Sequence, residues 1–440
     1  MLTLTCCFLL LLHTGCCLLS TSPDILLIAL GSAGDVHPFV GIGTELRRRG
    51  HAVTIVTNPM FQEIVTAANI EFLPVGTRED YLKIIENADL WHPLRAFNLI
   101  AQFGFIAPMR PVYEHIRDHY RPGQTIVAAT GLALGARIAQ EKLGVPLATL
   151  QMAPAVFRSV HQTPVLAGSG MTDRTPHFIK RAIYWMIDCL VVDRLMARQV
   201  NAFRRELGLT TPARRLMQDW WLSPDRVIGI FPPFFAPPQP DWPAQIRLTS
   251  FPLYDGHGFE PVPPQLETFL SAGTPPIVFT LGSANRHALD LFRLGIEACQ
   301  KINRRAILLS KFPENIPPNL PPSVAHFSYV PLSQLLPRSA ALVSHGGIGT
   351  VAQGLAAGTP QIVTALAHDQ YDNGTRLARL GVGQWRPSKK VTPAWLANAL
   401  SSLITDPLVA NHCGEFQRQL AAHHGISETC DLIEQLDVRQ

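Results

Sequence analysis

From Asp24 onward the chain repeats one unit: a short apolar run, a loop carrying glycine or an acid, then a stretch with helical periodicity. Asp24-Ile25-Leu26-Leu27-Ile28-Ala29-Leu30 is apolar after its first residue. A strand with no polar alternation has no face for solvent and belongs in a parallel sheet covered on both sides. Gly31–His37 follows as a loop, and a helix is expected from near Pro38, with Phe39, Ile42 and Leu46 on one side and a stop at Gly50. Further runs at 52–57, 70–74, 125–129, 147–150 and 226–230 continue the rhythm, and 178–207 reads as one long helical stretch. The rhythm then breaks. Ten prolines fall between Phe231 and Pro264, a density that neither helices nor central strands accept. It restarts at 277–281, 306–309, 324–327, 340–344 and 361–364.

The expected class is therefore α/β, with two doubly wound, Rossmann-like lobes joined by a stiff connection. The divisions are an apolar leading segment (1–22), a front lobe (23–231), the proline-rich linker (232–264), a back lobe (265–405) and C-terminal helices (406–440) packing toward the front lobe. Ligands of such folds bind beyond the carboxyl ends of the strands, here in the cleft between lobes.

Composition excludes several classes. Hydrophobic residues are 47% and charged residues 16%, which excludes a disordered chain. A net charge of +4, from 37 basic and 33 acidic residues, is too weak and too dispersed for a nucleic-acid binder. Arg47-Arg48-Arg49 reads as the last turn of a helix, where cations suit the dipole. Cys6, Cys7, Cys16 and Cys17 crowd the start while Cys189, Cys299, Cys413 and Cys430 scatter. That is neither a zinc pattern nor a disulfide framework, and it suits a reducing compartment. Met1 to Ser20 is almost wholly apolar, without the basic start or small-residue cleavage site of a secretory signal. A mis-assigned start, a membrane anchor and a signal are the three readings of it.

Three constellations carry chemistry. In Ala341–Thr350 an apolar strand enters His345-Gly346-Gly347 and opens a helix, so bare N–H groups and the helix dipole suit a phosphate. The spacing is neither Walker A nor GxGxxG, and close strand–helix packing is the competing reading. His345 either donates to a phosphate or braces the turn. In Ala367–Asn373, carboxylate and amide groups at a strand end suit a polyhydroxylated ligand; a helix cap at Asp369 or Asp372 is the alternative. In Gly31–Pro38, Asp35 is a candidate base or a helix cap, with His37 a weaker candidate for the base.

Together, Gly31-Ser32-Ala33-Gly34-Asp35-Val36-His37-Pro38, His345-Gly346-Gly347-Ile348-Gly349-Thr350 and His368-Asp369-Gln370-Tyr371-Asp372-Asn373 resemble the family 1 nucleotide-sugar glycosyltransferases of GT-B fold, in order and separation, from about Asp24 to Ala422. Asp89–Pro93, Phe234–Pro243 and Phe251–Gly256 resemble the branch of bacterial rhamnosyltransferases that makes rhamnolipids, beside macrolide and sterol glycosyltransferases. The resemblance implies that Asp35 deprotonates the acceptor hydroxyl. It implies a diphosphate cradle of His345, Gly346, Gly347, Gly349 and Thr350, with Ser283 across the loop. It implies sugar recognition by Asp369 and Gln370, and base contact through the Val330 backbone. The implied activity is inverting transfer of a hexose or deoxyhexose from a UDP- or dTDP-sugar to a small hydrophobic acceptor, whether lipid, hydroxy-fatty acyl, sterol or polyketide. No cofactor or metal is expected, since no DxD-like pair stands out. A nucleotide-sugar 2-epimerase and a non-catalytic nucleotide-sugar-binding partner are the alternatives. The expected location is cytoplasmic, with peripheral association at the cytoplasmic face of the membrane. Trp91, Phe97, Phe103, Phe105, Trp185, Trp220 and Trp221 are either core or an acceptor pocket.

Overall fold

The computed structural model describes residues 22–92, 95–166, 170–255, 263–282 and 288–437. Met1–Ser20 lies outside the described residues. Two parallel sheets organise the chain. The front sheet contains β1 (Asp24–Ile28), β2 (Val53–Thr57), β3 (Glu71–Pro74), β4 (Thr125–Thr130), β5 (Leu147–Gln151), β6 (Arg226–Gly229) and β7 (Ile246–Leu248) in the order β3-β2-β1-β4-β5-β6-β7. The back sheet contains β8 (Ile277–Thr280), β9 (Ala306–Leu309), β10 (Val324–Phe327), β11 (Ala341–Ser344), β12 (Gln361–Ala365) and β13 (Gly383–Pro387) in the order β10-β9-β8-β11-β12-β13. Every pair is parallel, and the apolar runs of β1, β4, β8 and β11 are buried on both faces.

Strand order explains where ligands can enter. Each sheet reverses direction once, between β1 and β4 in front and between β8 and β11 behind. Loops on either side of a reversal diverge and leave a crevice at the carboxyl ends. The loop after β1 carries Gly31–Asp35, and the loops after β8 and β11 carry Gly282 and His345. The pairing of Thr280 with Ser344 puts the latter two side by side.

Three features differ from expectation. The first helix, α1 (Ala33–Arg48), begins five residues before Pro38. Ser32 supplies the extended N-cap backbone, and Pro38 is tolerated inside because its missing N–H forfeits one bond, to the Gly34 carbonyl near the helix start. Secondly, the long helical stretch is α2 (His177–Ile187) and α3 (Asp193–Glu206), joined through a π-helical turn at Asp188–Val192. Thirdly, the proline-rich stretch does more than connect, because β7 within it pairs with β6 and extends the front sheet beyond residue 231.

The chain ends on the front lobe. After α4 (Ile348–Ala356) and α5 (Gln370–Arg379), the last helix α6 (Gly425–Glu434) packs on α1. Gly41 makes room, since a Cβ there would meet Ile426 Cδ1 at 2.9 Å. Arg49 holds the contact with bonds to Glu45 (2.9 Å), Asp431 (2.6 Å) and Glu434 (2.6 Å).

Candidate active site

Gly31 closes β1 at φ +126°, a conformation that suits glycine, and a Cβ there would lie 2.4 Å from Asp35 Oδ2. Asp35 sits at the third position of α1. Its Oδ2 accepts both the Ser32 N–H (2.7 Å) and the Ser32 hydroxyl (2.9 Å). The cap therefore exists, yet both bonds fall on one oxygen, which leaves Oδ1 for another proton. Burial pushes the Asp35 carboxyl up, against the opposing pull of the two Ser32 bonds. A carboxylate held this way is a stronger base than one in water.

Across the cleft, the turn after β11 is built around His345. Gly346 takes φ +91°, with Val363 packed where a Cβ would go. Gly347 is the N-cap of α4 and carries no side chain to occupy the first N–H groups. Gly349 opens on free space, and Thr350 faces the cleft. The His345 ring lies between two glycines: a Cβ at Gly282 would meet its Cε1 at 2.8 Å, and one at Gly347 its Nε2 at 2.6 Å. Burial first, then the nearby His368, drives His345 down to about 4, so the ring is neutral near pH 7. Its Nδ1 is buried and has no partner among the described residues. A neutral imidazole offers a phosphate oxygen one N–H, and the backbone dipole supplies the positive potential.

Asp369 begins α5 but does not cap it; no side-chain bond to the first-turn N–H groups forms. Instead Asn373 Nδ2 donates to Asp369 Oδ2 (2.7 Å) and to the Gly346 carbonyl (2.9 Å), tying the acid to the glycine turn. Burial raises Asp369 to about 6, and the negative charge of Asp35 adds to the rise. The two carboxylates, from opposite lobes, thus feel one another. Gln370, beside Asp369, is more enclosed than the sequence implies. It is 2% exposed and its Oε1 accepts the Leu366 and Ala367 N–H groups, at 2.7 and 3.0 Å, so only its amide NH2 is left to reach a ligand.

The cleft encloses about 750 Å3 and is walled by both lobes. Ala33, His37, Met60 and Tyr81 line the front; Val330, Gly349, Thr350 and Lys311 line the back. Asp35, His345, Asp369 and Gln370 are not on that wall, although Ala33, Gly34 and His37 flank Asp35 on it. His37 packs edge-on to Tyr254 (6.4 Å between centroids), and burial lowers its pKa, with Lys311 adding to the effect. Ser283 lies outside the described residues. None of the seven aromatic residues expected as core or acceptor pocket lines the cleft. Phe105, Trp220 and Trp221 are core, Phe103 and Trp185 are exposed, and Trp91 reaches His368 (5.9 Å) across the lobes. The apolar wall comes instead from Met60, Ile64, Ile85 and Phe251.

A buried clamp sets the lobes' spacing. Arg376 Nε bonds Asp372 Oδ2 (2.6 Å) inside the back lobe, its NH1 donates to the Phe235 carbonyl (3.1 Å), and Asp372 Oδ1 accepts the Val165 N–H of the front lobe (3.0 Å). Sequence reasoning missed this clamp, and also Lys311, Tyr254 and the bridging role of Asn373. Asp372, Asn373 and Tyr254 lie in stretches the sequence singles out, but for other roles; Lys311 had its own signal, two residues past the end of an apolar strand. Among the described residues, no group of three or more His, Cys, Asp or Glu side chains is placed to hold a metal ion.

Comparison with known proteins bears on the family and the fold. Residues 25–162 match the glycosyltransferase family 28 N-terminal domain, and residues 307–436 match the erythromycin biosynthesis protein CIII-like C-terminal domain. An O-mycaminosyltylonolide 6-deoxyallosyltransferase from Streptomyces fradiae is 28% identical over 420 residues, covering 93% of this chain and 97% of its own. The crystal structure of the glycotransferase of kitacinnamycin superposes with a TM-score of 0.72 at 21% identity, over 94% of this chain and 99% of that one. The glycosyltransferase VinC in complex with dTDP superposes with a TM-score of 0.66 at 18% identity, over 94% and 99%. With these two domain types in this order on a two-lobed parallel frame, the chain belongs to the family 1 GT-B glycosyltransferases.

Proposed function

We propose that the chain transfers a hexose or deoxyhexose from a UDP- or dTDP-sugar to a hydroxyl of a small hydrophobic acceptor, with inversion and without a metal ion. The single observation that carries this reading is the shared cleft: Gly34 and His37, which flank Asp35 at the front reversal point, and Gly349 and Thr350 of the glycine turn behind line one cavity. The acceptor O–H attacks the anomeric carbon, and the carbon–oxygen bond to the diphosphate breaks on the opposite face. The proton passes to Asp35 Oδ1, a contribution of about 10²–10⁴-fold. The departing nucleoside diphosphate gains charge beside the bare N–H groups of α4, Thr350 and the neutral His345, which act where a cation would otherwise be needed. Asp369 accepts from sugar hydroxyls, the Val330 backbone contacts the base, and Ser283 stays in the proposed donor site. An apolar front wall suits a lipid, sterol or polyketide acceptor. The Streptomyces relative is named as an O-mycaminosyltylonolide 6-deoxyallosyltransferase, and VinC is described in complex with dTDP; both support this choice of donor and acceptor class. Because the donor is a metabolite made inside cells, we place the reaction in the cytoplasm, at the cytoplasmic face of the membrane. Among the described residues no helix is long and apolar enough to cross a membrane.

The test is a screen of purified protein against UDP- and dTDP-sugars with pooled hydroxylated hydrophobic acceptors, read by mass spectrometry and nucleoside diphosphate release. Glycosylated acceptor is expected, abolished by Asp35→Ala with nucleotide affinity nearly intact and untouched by a chelator. Epimerised donor without transfer, or binding without turnover, overturns the reading.

A further inference from the structure

The excursion between β5 and β6 leaves the sheet at the carboxyl end of β5, the end that opens on the cleft. Along 178–191 its helical stretch turns large apolar side chains to solvent while polar ones are buried beside Tyr184 and Val192. Lys180 and Asp188, both fully buried, face the protein: Lys180 Nζ donates to the Val160 (2.8 Å) and Asp173 (3.3 Å) carbonyls, and Asp188 pairs with Arg158 (2.5 Å). Phe178 (71% exposed), Trp185 (55%) and Leu190 (63%) face outward, with Ile179, Met186 and Val191 beside them. Six of the ten exposed large apolar side chains among the described residues thus fall within 178–191, a clustering that scattered surface apolar residues do not show. Water alone would select the opposite orientation. The buried polar anchors show that this one is built.

Charge narrows what covers the face. Arg174, Arg181, Arg194 and Arg198 are exposed along the same segment, and no exposed acid lies between 174 and 198. Asp188 is buried under Arg158, and Asp193 is half-buried and accepts the Arg215 and Leu216 N–H groups. Beside Trp185 opens a second pocket of about 440 Å3, walled by Arg158, Arg181, Arg215, Trp221 and Trp242. An apolar strip fringed by arginines, with tryptophan at the boundary, is the pattern of a helix lying in a bilayer interface.

We propose that this face docks on an anionic phospholipid surface, the apolar strip entering the headgroup boundary while the arginine fringe and the second pocket take lipid phosphates. The inference rests on and deepens the reading of a cytoplasmic-face enzyme with an apolar acceptor. Its test reads binding instead of turnover, so the two can fail separately. The full chain is floated with vesicles of phosphatidylcholine alone or with about a third phosphatidylglycerol. Flotation is expected on the anionic vesicles and is lost in the triple variant Phe178→Ser/Trp185→Ser/Leu190→Ser. It is weakened roughly 30-fold in Arg181→Ser/Arg194→Ser, as two surface charges warrant. Thermal midpoints stay unchanged in both, because the altered side chains are exposed. Absence of flotation, equal flotation on neutral vesicles, or variants that float like the parent overturn the proposal. So does a parent that floats on neither vesicle but sediments as a dimer that the triple variant splits, since the face would then serve a second copy.

Discussion

Asp369→Asn is expected to make the protein more stable and less active, with a pH signature that separates it from ordinary substitutions. Burial, with Asp35 nearby, holds the Asp369 carboxyl at about 6 where an unfolded chain would hold it near 3.8. The native state therefore keeps a proton that the unfolded state loses in that window. Stability falls as pH climbs from 3.8 to 6 and stays lower above it, by roughly 3 kcal/mol at most. The side chain is partly exposed, and solvent screening trims the cost to about 1–3 kcal/mol. Asparagine fills the same volume, still accepts from Asn373 Nδ2, and cannot ionise. At about pH 8 the variant should gain that amount, a rise of roughly 2–4 °C in midpoint per kcal/mol for a lobe of this size, and the gain should vanish near pH 4. Denaturant titrations at the two pH values measure it. Donor affinity should fall about 10–100-fold with the loss of a charged acceptor. A gain that does not change with pH, or a net loss near pH 8, would refute the reasoning.

Three further outcomes follow from individual contacts. Ser32→Ala removes one of the two bonds that hold Asp35 down, so the Asp35 pKa rises further and the acid limb of kcat/KM moves to higher pH; an unmoved limb would detach Asp35 from the rate. Gly346→Ala places a Cβ 2.4 Å from Val363 Cγ1 on a residue at φ +91°, and should cost about 2–4 kcal/mol in a urea titration. Arg376→Met strands the buried Asp372 charge and should cost about 3–5 kcal/mol, whereas Arg376→Met with Asp372→Asn should cost clearly less; equal losses would show that the pair contributes by packing alone.

Much of the frame was readable because buried parallel strands must be apolar on both faces, as β1, β8 and β11 are. The glycine turn at His345–Gly347 and the loop at Gly31–Asp35 were readable for a related reason, since a strand that ends in glycine and opens a helix has few other uses. The start of α1 was misplaced because Pro38 offers a strong local signal, while the Ser32–Asp35 bonds that set the true start are two weak ones. The enclosure of Gln370 was not readable, because its neighbours in sequence are polar and the bonds that hold its Oε1 depend on how the turn after β12 folds back on itself. β7 was hidden among prolines, and only pairing with β6 makes three residues into a strand.

Residue type and order by themselves determined the strands, the two lobes and the chemistry available at their tips. Tertiary structure decided which tips meet. Strand order put Gly282 beside His345, the Arg376–Asp372 clamp set the lobes' spacing, and burial raised two carboxyls while keeping an imidazole neutral. The physical reason is range: propensity and hydrophobic period act over a few residues, whereas desolvation and charge coupling depend on whatever the fold brings within a few ångströms.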